Sequence, residues 1–482
     1  MRRTSWLAIA GTVLTSASFA QNFTQDNVDQ VTAVIDAATE AYGGEAAVSG
    51  LTTLVVEVRS VNHAVGQSRG TEPPWDRNES QSLNAIDFQE SIFANRAEFN
   101  GGGFETRTGT IINGDESVRM DYRAGTVAQI ADPNFAQATA PFVRVTPVLL
   151  LRALKERATN AHYMGQVTVD DRPQDAIGFS MAVGPAITLY FDRETHLLTR
   201  SERMFAGAGL VRYEFSDYAT IDGIPFNRRF RLFLNDDLNS ERSIVSVAIN
   251  APLDTHLVVD ERLKTIPEVA PDPLTRQRVA DGVWLIGGNG TYAMFVDMGG
   301  FVFAAGGTAG IEQRIDLLRE VIGEKPIRYG MLTHHHFDHV VGVPDYEREG
   351  ATVLAAAAHE AVVREAGGEA LRFEAVVGRQ RIESSGRAVE IIDIGPTAHT
   401  EHLLVAYLPE EGILFEADHF ALPAAGPIPP AVSSTRTFAK ALERAGLNDV
   451  RYILSAHSPR FATPMDLAAS LEAETLPPNG RD

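Results

Sequence analysis

Cysteine is absent from all 482 residues. That excludes disulfides, thiol nucleophiles and a lipid anchor on an N-terminal cysteine. It also means that any metal must be held by His, Asp or Glu. It does not by itself fix the compartment, since an exported protein can simply do without thiols. Positive charge is also scarce: 42 Lys and Arg against 63 Asp and Glu leave a net charge of −21, with no basic run. Binding to phosphates draws on clustered Lys and Arg, so no nucleic-acid or anionic-membrane partner is expected. Long apolar runs are missing as well. After the first twenty residues none approaches the roughly 18 residues that a membrane span needs.

Those first twenty residues have a character of their own. Arg2 and Arg3 precede a mostly apolar stretch at 6–14, and Ser18-Phe19-Ala20 follows with small residues at the outer positions. This pattern predicts a secretory signal peptide over 1–20, cleaved before Gln21. The apolar part is too short to cross a bilayer, so no stable membrane span is expected after its removal. The expected location is periplasmic or secreted.

With 44% hydrophobic and 22% charged residues, the chain can bury sizeable cores, and its length predicts two to three domains. Apolar spacing at Val28, Val31, Ile35 and Ala38 predicts a helix over 26–42, closed by Gly43-Gly44. From Leu51 the period becomes two, first at Leu54, Val56 and Val58. Similar stretches recur around 88–99, 163–169, 186–191, 211–218 and 226–234, with turns at Asp222-Gly223 and Asn235-Asp236-Asp237. A second helix is expected from Thr146 as cap and Pro147 in the first turn. Residues 21–260 therefore read as an α+β domain, an antiparallel sheet with helices packed on it.

The prolines 267, 271 and 273 mark a linker over 261–276. In 277–482, strand-like and helical runs alternate, including a helix at 311–322 and one at 434–445 capped by Ser434 and closed by Gly446. That alternation predicts a layered α/β architecture.

The chemistry gathers in MLTHHHFDHVVG, residues 331–342. In extended backbone His334 and His336 point to the same side and can address one metal. The chain then bends, so Asp338 and His339 can address a second a few ångströms away. Three further metal-competent residues, His399, Asp418 and His457, each follow an apolar strand-like run, where loops gather at a sheet edge. Imidazole and carboxylate donors suit Zn²⁺.

The ordered set His334-x-His336-x-Asp338-His339, His399, Asp418, His457 resembles the metallo-β-lactamase superfamily over about 278–464. The resemblance implies an αβ/βα sandwich, two sheets with helices outside. It implies that His334, His336 and His399 hold one metal, that Asp338, His339 and His457 hold another, and that Asp418 bridges them. Two zinc ions per chain are implied, with iron or manganese as alternatives. The sequence departs from the family pattern at 303–306, which carries no acid, and at Ala417, which stands where Gly is usual. Residues 213–230, YEFSDYATIDGIPFNRRF, with the preceding DRETHLLTRSE, resemble the curved half-barrel of the outer-membrane lipoprotein carrier family. That likeness implies a concave apolar surface able to hold an acyl chain.

The expected function is hydrolysis of an ester, lactone or related small substrate, which an apolar surface would suit, by a hydroxide generated on the metal pair and oriented by Asp338 as catalytic residue. Asp418 weighs against β-lactamase activity, because those relatives generally carry Cys or Ser at that position. The alternatives are an iron-dependent redox member of the same superfamily, disfavoured by His336 where that branch has Glu, and a non-catalytic envelope binding or carrier protein. His335 is expected to point away from the metals by strand alternation. His402 and His419 are read equally as site contacts or as ordinary polar residues. The remaining histidines, 63, 162, 196, 256 and 359, have no partner pattern. The sequence carries no signal for oligomeric state.

Overall fold

The computed structural model describes residues 23–205, 209–268, 272–368 and 370–476. The expected signal segment 1–20 lies outside them. Among the described residues, no helix is long and apolar enough to cross a membrane.

The N-terminal half is built on one 14-stranded sheet. Strand Thr53–His63 sits near its middle, paired antiparallel with Arg77–Asp87 on one side and Asp237–Ile249 on the other. The period-two pattern separates two faces. Leu54, Val56 and Val58 join a core with Val31 and Ile35 of helix Phe23–Ala41 and Leu150, Leu151 and Leu154 of helix Pro147–Glu156. Val55 faces the other way, packed with Ala85, Ile111 and Met120 and covered by Leu253 and Leu263. Burying each such side chain contributes about 1.5–3 kcal/mol. Both faces of the central strands are therefore fixed, and with them the register.

Local expectations met two corrections. Thr146 does occupy the N-cap position, but its hydroxyl donates back to the Phe142 carbonyl and caps nothing. The later helix runs Ser433–Arg444 with Val432 at its N-cap; Ser434 lies inside it, and its N–H donates to the Gly103 carbonyl. Two strands reach into the expected linker 261–276. Lys264–Ile266 extends the first sheet by pairing parallel with Thr126–Gln129, and Thr275–Ala280 opens the second.

The C-terminal domain is a four-layer sandwich. A seven-stranded and a five-stranded sheet face each other across a core that includes Leu285, Met294, Phe303, Ile391, Leu404 and Phe415. Helices Ile311–Ile322 and Val343–Arg348 cover the first sheet, while Ser433–Arg444 and Pro464–Glu472 cover the second. Near-continuous apolar strands such as Tyr292 to Val296 are those of sheets buried on both faces.

Candidate metal centre

Four strand ends bring the seven residues to one edge of the sandwich. Strand Ile327–Met331 runs into buried Thr333, His334 and His336, and the Thr333 carbonyl accepts from Leu404 N–H of the opposite sheet. His336 keeps extended geometry (φ −59°, ψ 145°) and is followed by the short helix Phe337–Val340, which turns Asp338 and His339 aside. Strand Ile413–Glu416 delivers Asp418, which has φ 65°. Left-handed backbone is uncommon outside glycine and tolerated best by Asp and Asn. Here the turn is clasped by the Glu416 carboxyl group, which accepts from the His419 N–H at 3.0 Å. Strand Tyr452–Ser455 leads to His457, and strand Arg387–Asp393 to the loop carrying His399.

The seven form two donor groups that share Asp418: His334, His336 and His399 with Asp418, and Asp338, His339 and His457 with Asp418. In the first, His334 Nε2 lies 3.0 Å from His336 Nδ1, and His334 Nε2 and His399 Nε2 each lie 3.2 Å from Asp418 Oδ2. In the second, His339 Nε2 lies 2.8 Å from Asp418 Oδ2, His457 Nε2 lies 2.9 Å from Asp418 Oδ1, and Asp338 Oδ2 lies 3.4 Å from His339 Nε2. An ion with ligands at about 2.1 Å in tetrahedral array separates them by about 3.4 Å. The spacing and the N and O donors fit a metal.

The outward nitrogens support the same assignment. A carbonyl accepts only, so the ring nitrogen facing one carries the proton and leaves the other lone pair directed into the cluster. His336 Nε2–H donates to the Ser68 carbonyl at 2.9 Å, His399 Nδ1–H to Gly102 at 2.7 Å, and His457 Nδ1–H to Gly290 at 3.1 Å. His334 Nδ1 meets the Thr333 hydroxyl at 3.1 Å.

Charge is arranged accordingly. Burial holds His334 and His336 well below the usual imidazole range, and neighbouring imidazoles push the same way. Burial alone would raise the Asp418 carboxyl, but His339 and contacts from His334 and His399 hold it well below the carboxylate range. Burial would lower His457; its contact with Asp418 outweighs that and raises it to about 9. A carboxylate beside His334 and His336, both held neutral by burial, is a donor set matched to a cation, which would displace the proton that His457 holds against Asp418 in its absence.

The cluster opens into a cavity of about 540 Å³ between the two halves of the molecule. Phe104 and Arg123 of the N-terminal half line it opposite Phe420, Pro429, Pro430 and Val432. The Phe104 ring stands edge-on to His399 with centroids 5.0 Å apart. A larger cavity of about 1140 Å³ on the N-terminal sheet adjoins it through Glu105, Thr106 and Arg123. It is lined by Arg59, Glu79, Glu98, Arg229 and Arg231, so the surface there is charged, against the expectation of an apolar one.

His335 points away from the cluster, its Nε2–H donating to the Gly70 carbonyl at 3.2 Å. His419 bonds Thr397 Oγ1 at 2.9 Å, and the same hydroxyl accepts from the His399 N–H, so His419 braces that loop. His402 pairs with Asp393 at 2.7 Å. Residues of the N-terminal half at the centre, Gln67, Ser68, Gly102 and Phe104, were not foreseen. The one local signal was the run Gly101-Gly102-Gly103. At Gly103, which has φ +83°, a Cβ would stand 3.0 Å from Ser434 Cβ and 3.2 Å from the Ala398 main chain.

Comparison with known proteins gives the following. Residues 283–457, ending on the last of the seven, match the family model of the metallo-beta-lactamase superfamily. A metallo-beta-lactamase from Pontibacter korlensis shares 17% identity over 41% of this chain and 97% of its own, with a TM-score of 0.33. The metallo-beta-lactamase FIM-1 from Pseudomonas aeruginosa, in its mono-zinc form, shares 21% over 42% and 94%, at 0.32. The flavodiiron protein from Giardia intestinalis shares 17% over 42% and 58%, at 0.33. No curated protein matches the chain. The C-terminal domain, over residues 283–457, belongs to the metallo-beta-lactamase superfamily.

Proposed function

We propose that the chain is an exported, zinc-dependent hydrolase of an ester, lactone or related small substrate with an apolar portion. The observation that carries this reading is the sharing of Asp418 by two donor groups beside a cavity with apolar walls. When bound, a metal pair would supply an activated water and a Lewis acid toward a carbonyl oxygen. His334, His336 and His399 would hold one ion and Asp338, His339 and His457 the other, with Asp418 serving both.

The chain's own groups divide the remaining work. Asp338 has 41% of its side chain exposed and lines the cavity, so its carboxylate can orient the attacking water and take its proton. Phe104, Phe420, Pro430 and Val432 exclude water and pack an acyl or alkyl group. At the centre itself Arg123 is the one lining arginine among the described residues, set against Glu105, Asp121 and Asp338, which disfavours polyphosphate and nucleic-acid substrates there.

The test is elemental analysis of the purified full chain, then turnover of an aryl ester, a lactone, a phosphodiester and a cephalosporin by wild type and His336→Ala. Two zinc equivalents, and ester or lactone turnover at least about 100-fold slower in the variant, are expected. Equal ester turnover in both proteins would remove the hydrolytic assignment, and iron in place of zinc would move the chain to redox chemistry.

A further inference from the structure

Residues 66–70, in the connection between strands Thr53–His63 and Arg77–Asp87, run antiparallel to 335–338. The Gly66 carbonyl accepts from Phe337 N–H at 3.2 Å, the Ser68 carbonyl from His336 Nε2–H, and the Gly70 carbonyl from His335 Nε2–H. Between them Gln67 Nε2–H donates to Asp338 Oδ1 at 2.8 Å. The loop is tied at its base. Asp76 N–H donates to the buried Ser68 hydroxyl at 2.6 Å, Arg69 N–H donates to Asp76 Oδ2 at 2.8 Å, and Ala64 N–H to the Asp76 carbonyl.

We infer that the N-terminal half is a working part of the metal centre, with Gln67 as a positioning residue that presents Asp338 to the second donor group. A carboxylate on a short side chain can rotate either oxygen inward. A fixed amide donor on Oδ1 leaves Oδ2 as the oxygen facing His339 at 3.4 Å and His457 at 4.0 Å. Such outer hydrogen bonds orient ligands and set metal affinity, and removing one costs about 10–100-fold. The donor comes from a segment 271 residues away, so the C-terminal domain does not hold this carboxylate unaided.

The inference rests on the reading that the seven residues bind two ions, and the experiment separates the two. Full-length wild type, Gln67→Met and Glu72→Gln, the last an exposed loop control, are stripped and titrated with Co²⁺, following the visible absorption band and the equivalents bound. Thermal unfolding checks that Gln67→Met is folded, and Asp338→Asn with and without Gln67→Met completes a double-mutant cycle. We expect the second equivalent to bind about 10–100-fold more weakly in Gln67→Met with an altered band, an unchanged Glu72→Gln, and no added effect of Gln67→Met on Asp338→Asn. If Gln67→Met takes up both equivalents like wild type with the same band, Gln67 positions nothing, and the hydrolase reading stands. If wild type takes up two ions but turns over no ester, that reading fails while the role of Gln67 remains. If wild type takes up no ion, both fall.

Discussion

The Nδ1–H of His399 donates to the main-chain carbonyl of Gly102 at 2.7 Å, joining residues 297 positions apart. One belongs to a loop of the sandwich and the other to a hairpin tip of the N-terminal sheet. The same tip is pinned by Ser434 N–H to the Gly103 carbonyl at 2.8 Å. At Gly103 the tip has little room for a side chain: Gly103→Val would place Cβ against Ser434 and Ala398 in a backbone conformation that branched residues avoid. The variant should lose about 1–3 kcal/mol of stability and bind metal more weakly, measured by urea unfolding and metal titration. Wild-type values for both would show that the tip is not tightly docked.

Asp338→Asn keeps the shape of the side chain and removes its capacity to accept a proton. Ester turnover should fall by about 10²–10⁴-fold with little change in KM. A rise in KM with kcat unchanged would assign Asp338 to substrate binding instead.

Phe104 contributes the N-terminal wall of the cavity and touches the His399 ring. Phe104→Ala should lower kcat/KM for esters with a bulky apolar acyl group by about tenfold or more, and leave acetyl esters nearly unchanged. Equal losses across chain lengths would point to a disturbed His399 rather than to a lost wall.

Buried Arg314 donates to the Thr308 hydroxyl, the Ala309 carbonyl, and both oxygens of Thr291, the residue after the Gly290 that holds His457. Arg314→Met would leave these acceptors without their donor at a cost of about 3 kcal/mol or more. Chemical denaturation measures it, and a loss below about 1 kcal/mol would mean that solvent replaces the guanidinium.

His359 is buried beside His335 and His402, and burial lowers it to about 3. In the unfolded chain it titrates near the ordinary value of about 6.5, so between these pH values only the unfolded state binds the proton. Stability from this group is therefore complete above about 6.5 and lost as pH falls toward 3. His359→Phe should gain on wild type by up to about 1.4 kcal/mol per pH unit below 6.5, in metal-free protein at matched denaturant. A difference independent of pH would show that His359 is charged or hydrated in the fold.

The ligand types and their order were legible because both are local: an apolar strand-like run followed by a metal-competent side chain reads the same in any context. Helix Ile311–Ile322 was legible for a similar reason, its apolar stripe at Ile315 and Leu318 ending at Gly323. The cap at Ser434 was misread because tertiary contact outweighed local preference; its N–H serves the Gly103 carbonyl.

Sequence by itself determined which donors exist, that none is a thiolate, and that they follow apolar strand-like runs. Only the tertiary structure decided that Asp418 faces both groups, that the sheet's own cavity is charged, and that Gln67, Ser68 and Gly102 reach the centre. The physical reason is that periodicity records which face of an element is buried, whereas the docking of one sheet's loops on another's depends on packing between elements hundreds of residues apart.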